Sequence, residues 1–196
     1  MNNKIILENE LFYCEHLTNR ENVIEELSSF SIQKSTGNGL LNYLKNYALD
    51  DEYSGEMRTY LVRDKQTQEI VGYFSLKAGM VSINEKRILF HREFDCIPGI
   101  ELANFAVNDS YRETHKEYAG IGKIIFSYFI YPIVKKVSNQ IGVYMIYIFA
   151  LPYKKLLSYY ETLHFQRLTS TEEYYVHKRI KPRYDKDCVF MCQKIN

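Results

Sequence analysis

The sequence predicts an α+β fold: a mixed, mostly antiparallel central sheet flanked by helices, with one parallel strand pair. Three observations lead there. Apolar residues recur at helical spacing up to about residue 49 and at strand spacing soon after. A strand, a Gly-x-Gly turn, a long apolar segment and another strand follow one another over 100–150, the order of a βαβ unit. Finally, 196 residues at 46% hydrophobic suffice for one domain with a substantial core. No Pro/Gly/Ser linker, repeat or low-complexity stretch divides 1–196, so it reads as a single domain.

The elements follow in order. Residues 20–29 read as a helix, with the charges to one side of Val23, Ile24 and Leu27. Residues 39–49 form a clearer one, with Leu40, Leu41, Leu44 and Ala48 at helical spacing. Segments 59–62 and 70–77 read as strands around the polar turn 64–68. A further strand over about 80–90 continues the antiparallel run, and 91–99 is a loop ending at Pro98-Gly99. Segment 100–107 is apolar on both faces, as a central strand would be. A polar loop then leads to Gly120-Ile121-Gly122. Segment 124–137 is too long for a typical strand and reads as a helix; Pro132 should kink it or start it afresh. Segment 143–150 reads as a buried strand. Pro152 can open the next helix, which runs to about residue 163. Segments 165–168 and 187–193 close the chain as two strands around a basic loop.

Composition narrows the function. The net charge of +1 advertises no nucleic-acid or membrane partner. The halves differ: residues 1–100 carry 11 basic and 15 acidic residues, residues 101–196 carry 14 and 9. The basic excess gathers in Lys178, Arg179, Lys181 and Arg183, a solvated loop or a contact for an anionic partner such as RNA. No apolar run reaches the ~18–20 residues of a membrane span, and MNNKIILENE is not a signal peptide. Cys14, Cys96, Cys188 and Cys192 form no CxxC pair and read as reduced thiols of a cytoplasmic protein. His91, His115 and His164 have no metal-ligand spacing, so no metal is expected.

A glycine turn before a helix lets a phosphate approach the backbone, where unpaired N–H groups and a positive dipole end meet it. Two common phosphate motifs are excluded. A P-loop requires Gly where Glu117 stands and Ser or Thr where Ile124 stands. A dinucleotide fingerprint requires a third Gly where Ile125 stands. With its surroundings, the segment resembles the GNAT superfamily of acyl-CoA-dependent N-acyltransferases. The resemblance is carried by ELANFAVNDSYR (101–112), YAGIGKIIF (118–126) and LLSYYETLHFQRL (156–168). These look like the family's fourth strand, its pyrophosphate loop and helix, and its Tyr-Glu-x-x-Gly-Phe helix-to-strand signature. Two departures stand out. Glu117 occupies the family's first Arg/Gln position, unless Arg112 is that residue and 113–117 enlarge the loop. His164 replaces the usual glycine of a left-handed turn, a conformation His tolerates better than a β-branched residue does.

The resemblance implies a splayed parallel strand pair that admits acetyl-CoA as cosubstrate. The backbone of Phe105, Ala106 and Val107 would meet the pantetheine arm, and the Phe105 N–H the developing oxyanion. Gly120, Ile121, Gly122 and Lys123, with Arg112, would face the pyrophosphate. Tyr160 would protonate the leaving thiolate and Glu101 would deprotonate the amine. Asn104 could orient substrate. Each has a plainer reading: the chain has 18 Tyr, and Glu101 could simply pair with a cation.

The resemblance implies a primary amine as acceptor, small or macromolecular, without identifying it. GLLNYLKNYALDDEYSGEMRTYLV, followed by IVGYFSL, also resembles the front half of GNAT toxins that acetylate charged tRNA. A non-catalytic acyl-CoA-binding module on the same fold is the rival reading, and a homodimer stays open.

Overall fold

The computed structural model describes residues 4–19, 22–88, 91–93, 95–180 and 186–195. The chain opens with strands β1 (Ile5–Glu8) and β2 (Phe12–His16), neither of which is among the elements expected from the sequence. Helices α1 (Val23–Leu27), α2 (Asn38–Asn46) and α3 (Ala48–Ser54) follow, so the expected helix over 39–49 breaks at Tyr47. Strands β3 (Arg58–Asp64) and β4 (Ile70–Ser82) pair antiparallel.

The strand expected over about 80–90 does not exist as one element. β4 absorbs its start, and β5 (Lys86–Ile88) pairs with β6 (His91–Glu93) in a separate hairpin. Nor is 91–99 a loop: β7 (Cys96–Val107) already includes Pro98-Gly99. Pro98 donates nothing, but its carbonyl accepts from Tyr144 N–H at 2.9 Å. Burial along β7 alternates instead of covering both faces. Leu102, Asn104 and Ala106 are buried, whereas Glu101, Ala103, Phe105 and Val107 are half-buried.

The expected polar loop after β7 holds helix α4 (Asp109–Thr114), capped by Asn108 Oδ1 on Ser110 N–H. Helix α5 (Ile121–Ile125) runs through a widened turn, Phe126–Ile130, into α6 (Tyr131–Ser138). Pro132 offers no N–H to the Tyr128 carbonyl. The turn before it opens to i→i+5 bonding, so helical dihedrals persist at Phe126 and Tyr131 and the helix is not restarted.

Strand β8 (Met145–Ala150) leads to α7 (Lys154–Thr162), whose cap is Tyr153, so Pro152 lies outside the helix. β9 shrinks to Gln166–Arg167, and the described part of the basic segment is not a hairpin loop. It carries α8 (Ser170–Arg179), started by a reciprocal Thr169–Glu172 capping box, before β10 (Val189–Lys194).

Eight strands form one mixed sheet in the order β1-β2-β3-β4-β7-β8-β10-β9. β7 and β8 are parallel, pairing Gly99, Ile100 and Glu101 with Met145, Ile146 and Tyr147. Beyond Glu101 the two strands are unpaired among the described residues. The other registered pairs of this sheet are antiparallel.

The chain divides into two compact units. The first, Met1–Lys77 with Ala103–Ile133, is built on Leu17, Leu27, Phe30, Tyr43, Leu61 and Tyr73. It buries Arg63, whose guanidinium pairs with Glu15 and Glu26 and donates to Gln68 O at 3.2 Å. The second, Ala78–Leu102 with Val134–Asn196, is built on Val81, Met145, Tyr147, Val176 and Phe190.

Candidate active site

In the first unit the glycine turn has the features of an anion cradle. Gly120 takes φ +72°, a left-handed conformation that costs a residue with a side chain ~1–2 kcal/mol. Open space surrounds the position of a would-be Cβ, so the dihedral alone demands glycine. Buried Ile121 anchors the helix start. The N–H groups of Lys123 and Ile124 donate to Gly120 O at 2.8 and 3.1 Å. Those of Ile121 and Gly122 have no partner among the described residues, which suits a phosphate oxygen. Lys123 is exposed. Arg112 lies on α4, not in the turn, and its Nη1 is 3.1 Å from Asp109 Oδ1. Glu117 is exposed in the segment between.

Asn104 is fully buried. Its Nδ2 lies 3.9 Å from Met57 Sδ, and its Oδ1 has no hydrogen-bond partner among the described residues. Three positions separate it from Glu101 on one strand, so their side chains leave opposite faces. The structure does not bring these two together.

Glu101 belongs to the second unit, opposite Tyr147 in the parallel ladder. Tyr147 OH approaches Glu101 Oε2 at 3.5 Å. Burial, then the Glu101 carboxylate, raise the phenol's pKa above its usual range, so Tyr147 keeps its proton. Two glycines make its place. A Cβ on Gly79 would stand 1.9 Å from Tyr147 Oη, and one on Gly99 2.9 Å from Cδ1. Phe190 stacks on the ring at 5.4 Å. Tyr147, Gly79 and Gly99 escaped the sequence reading, because their link is lateral and no local spacing reports it.

Tyr160 is half-buried on α7, its ring edge-on to Phe165 at 5.6 Å and to Tyr159 at 5.4 Å. Its hydroxyl has no hydrogen-bond partner among the described residues. Burial raises its pKa above the phenol range. Tyr159 is pushed up to about 12 by burial, and its buried hydroxyl is also unpartnered. The expected left-handed turn is present: His164 has φ +68°.

Of the basic group, Lys178 Nζ and Arg179 Nη2 both pair with Glu85 Oε2, at 2.8 and 2.9 Å, in the second unit. Lys181 and Arg183 lie outside the described residues. Among the described residues no group of His, Cys, Asp and Glu could hold a metal ion. No helix there is long and apolar enough to cross a membrane.

No family model matches the sequence, and no curated protein is similar to it in sequence. Solved structures are similar in fold. AtaT complexed with acetyl-methionyl-tRNAfMet has 15% identity and TM-score 0.63, over 93% of this chain and 94% of that one. A tyrosine-to-phenylalanine mutant of KacT has 13% and 0.64, over 95% and 96%. AtaTR bound with acetyl-CoA has 15% and 0.61, over 95% of each chain. The likeness covers nearly the whole of each chain: this chain has a GNAT-like α+β fold.

Proposed function

We propose that the chain is an N-acetyltransferase of one domain, 1–196, that moves an acetyl group from acetyl-CoA to a primary amine by direct attack. The observation that carries this is the left-handed Gly120 followed by the unpartnered N–H groups of Ile121 and Gly122. Those groups, with the Lys123 ammonium and Arg112, would hold the pyrophosphate; the backbone of Phe105, Ala106 and Val107 would hold the arm. Acetyl-CoA supplies an activated thioester. Glu101 takes the amine's proton, and Tyr147 orients that carboxylate. The Phe105 N–H faces the oxyanion. Tyr160, its proton retained at neutral pH by burial, gives that proton to the departing sulfur as the amide N–C bond forms and the C–S bond breaks. Free cysteines suit a cytoplasmic setting.

A second reading, a toxin that acetylates charged tRNA, is favoured by the AtaT complex with acetyl-methionyl-tRNAfMet among the similar structures. Lys178 and Arg179 both pair with Glu85, whose carboxylate offsets part of the charge they would offer RNA.

The test is CoA binding by calorimetry and thiol release from acetyl-CoA over a panel of amines. Tyr160→Phe should cut kcat by about 10²-fold and leave CoA affinity within about twofold. Glu101→Gln should slow the reaction mainly below the pKa of the amine; an unchanged pH profile removes its role as base. Tight CoA binding with no amine-dependent thiol release overturns catalysis and leaves a binding module.

A further inference from the structure

The second unit contains a cavity of about 630 Å³ that the roles above do not use. Its walls include Ile83, Ile97, Met145, Leu168 and Phe190, with the polar side chains of His164, Gln166 and Gln193 among them, and no acidic residue lines it. The one formal cation on its lining is Lys194, exposed, with Nζ 5.1 Å from the Tyr144 ring centre.

The strand register places this cavity beside Glu101. Directly paired residues on neighbouring strands point to the same face. One row across β7, β8 and β10 is Glu101, Tyr147 and Cys192; the next row on that face is Gly99, Met145 and Lys194. Met145, Cys192 and Lys194 line the cavity. Two residues of strand separate the rows, about 7 Å. Gly99 contributes no side chain to the second row, and Tyr147 leans over it. Phe190 both walls the cavity and stacks on Tyr147, whose hydroxyl faces Glu101. The cavity therefore starts one row from the proposed base, on the same sheet face and inside the same unit.

We propose that this cavity is the acceptor pocket and that the acceptor is a primary amine carried on a small hydrocarbon or aromatic body, its nitrogen toward Glu101. This rests on the acetyltransferase reading. A polyamine is disfavoured, because a second ammonium would find no carboxylate and would meet Lys194. A free alkyl or aryl amine and the α-amino group of an apolar residue offer the same chemistry, and the acceptors tested separate them.

Butylamine, hexylamine, phenethylamine, leucine amide and spermidine are each tested in two ways: calorimetric binding to the CoA-saturated protein, and thiol release from acetyl-CoA. Affinity should rise about fourfold per buried methylene from butylamine to hexylamine, and spermidine should bind at least about tenfold more weakly than hexylamine. Leucine amide surpassing hexylamine identifies an α-amino group as the acceptor; the reverse order identifies a free amine. Leu168→Trp and, separately, Ile97→Trp fill the cavity. Each should weaken hexylamine binding and raise its KM about tenfold or more, while CoA affinity and the circular dichroism spectrum stay unchanged. Preference for spermidine, or amine affinity untouched in both folded variants, overturns the assignment. Failure of the wild type to bind CoA overturns the acetyltransferase reading instead; hexylamine binding that Leu168→Trp abolishes would still support the pocket.

Discussion

Tyr147 occupies its place because Gly79 on β4 and Gly99 on β7 present no side chain to it. The contact distances predict a specific coupling. Gly79→Ala forces a methyl group against the phenol oxygen and should destabilise the protein by ~1–3 kcal/mol. Tyr147→Phe removes that oxygen and leaves Cζ, 3.0 Å from the new Cβ, as the nearest atom. The double variant should therefore be more stable than Gly79→Ala alone in urea denaturation; strict additivity of the two changes would refute the contact. At this scale the sequence is legible where a residue's conformation or chemistry is its own. Glu101 stands out in the sequence as a carboxyl in an apolar segment and His164 as the residue at a left-handed turn; the structure puts Glu101 on β7 and gives His164 φ +68°. Tyr147 was legible only as one more aromatic in a buried strand. Asn104, expected to orient substrate, is buried, and strand alternation sends it to the face opposite Glu101.

At the scale of elements, the helix from α5 to α6 starts in one conformation and survives its proline by another. Gly120 starts it with a positive φ, and the widened turn 126–130 carries it past Pro132. Gly120→Ala keeps the space but not the dihedral. It should cost ~1 kcal/mol in stability and weaken CoA binding by about tenfold, an affinity ratio worth ~1.4 kcal/mol. Calorimetry and thermal melting read the two effects; unchanged CoA affinity would remove the turn from the cofactor site. The strands around this helix were legible from their β-branched and aromatic runs. Helix α8 is not marked by apolar spacing, although Thr169-Ser170-Thr171-Glu172 spells a capping box. The segment has little apolar periodicity, and its helix is held by that cap and by burial of Val176. Strand β7 was begun too late because Pro98-Gly99 reads as a turn. There the missing N–H is harmless, and Gly99 gives Tyr147 its room.

At the scale of the whole molecule, the toxin reading makes its own prediction. Expression should arrest growth, Tyr160→Phe should relieve the arrest, and charged tRNA recovered from arrested cells should carry an acetyl group. Arrest with unmodified charged tRNA would rule that reading out and leave the small-amine acceptor. Charge gives RNA little to hold: the net is +1, and Lys178 and Arg179 share the carboxylate of Glu85. The sequence by itself determined the α+β class, the strand–turn–helix–strand order of 100–150 and the GNAT resemblance, since periodicity and glycine placement are local properties that a chain carries unfolded. Only the tertiary structure decided that Tyr147 faces Glu101, that Asn104 turns away and that a cavity walled in part by Phe190 lies beside Tyr147. Those facts depend on the register between strands far apart in sequence, and a shift of one residue would reverse every face.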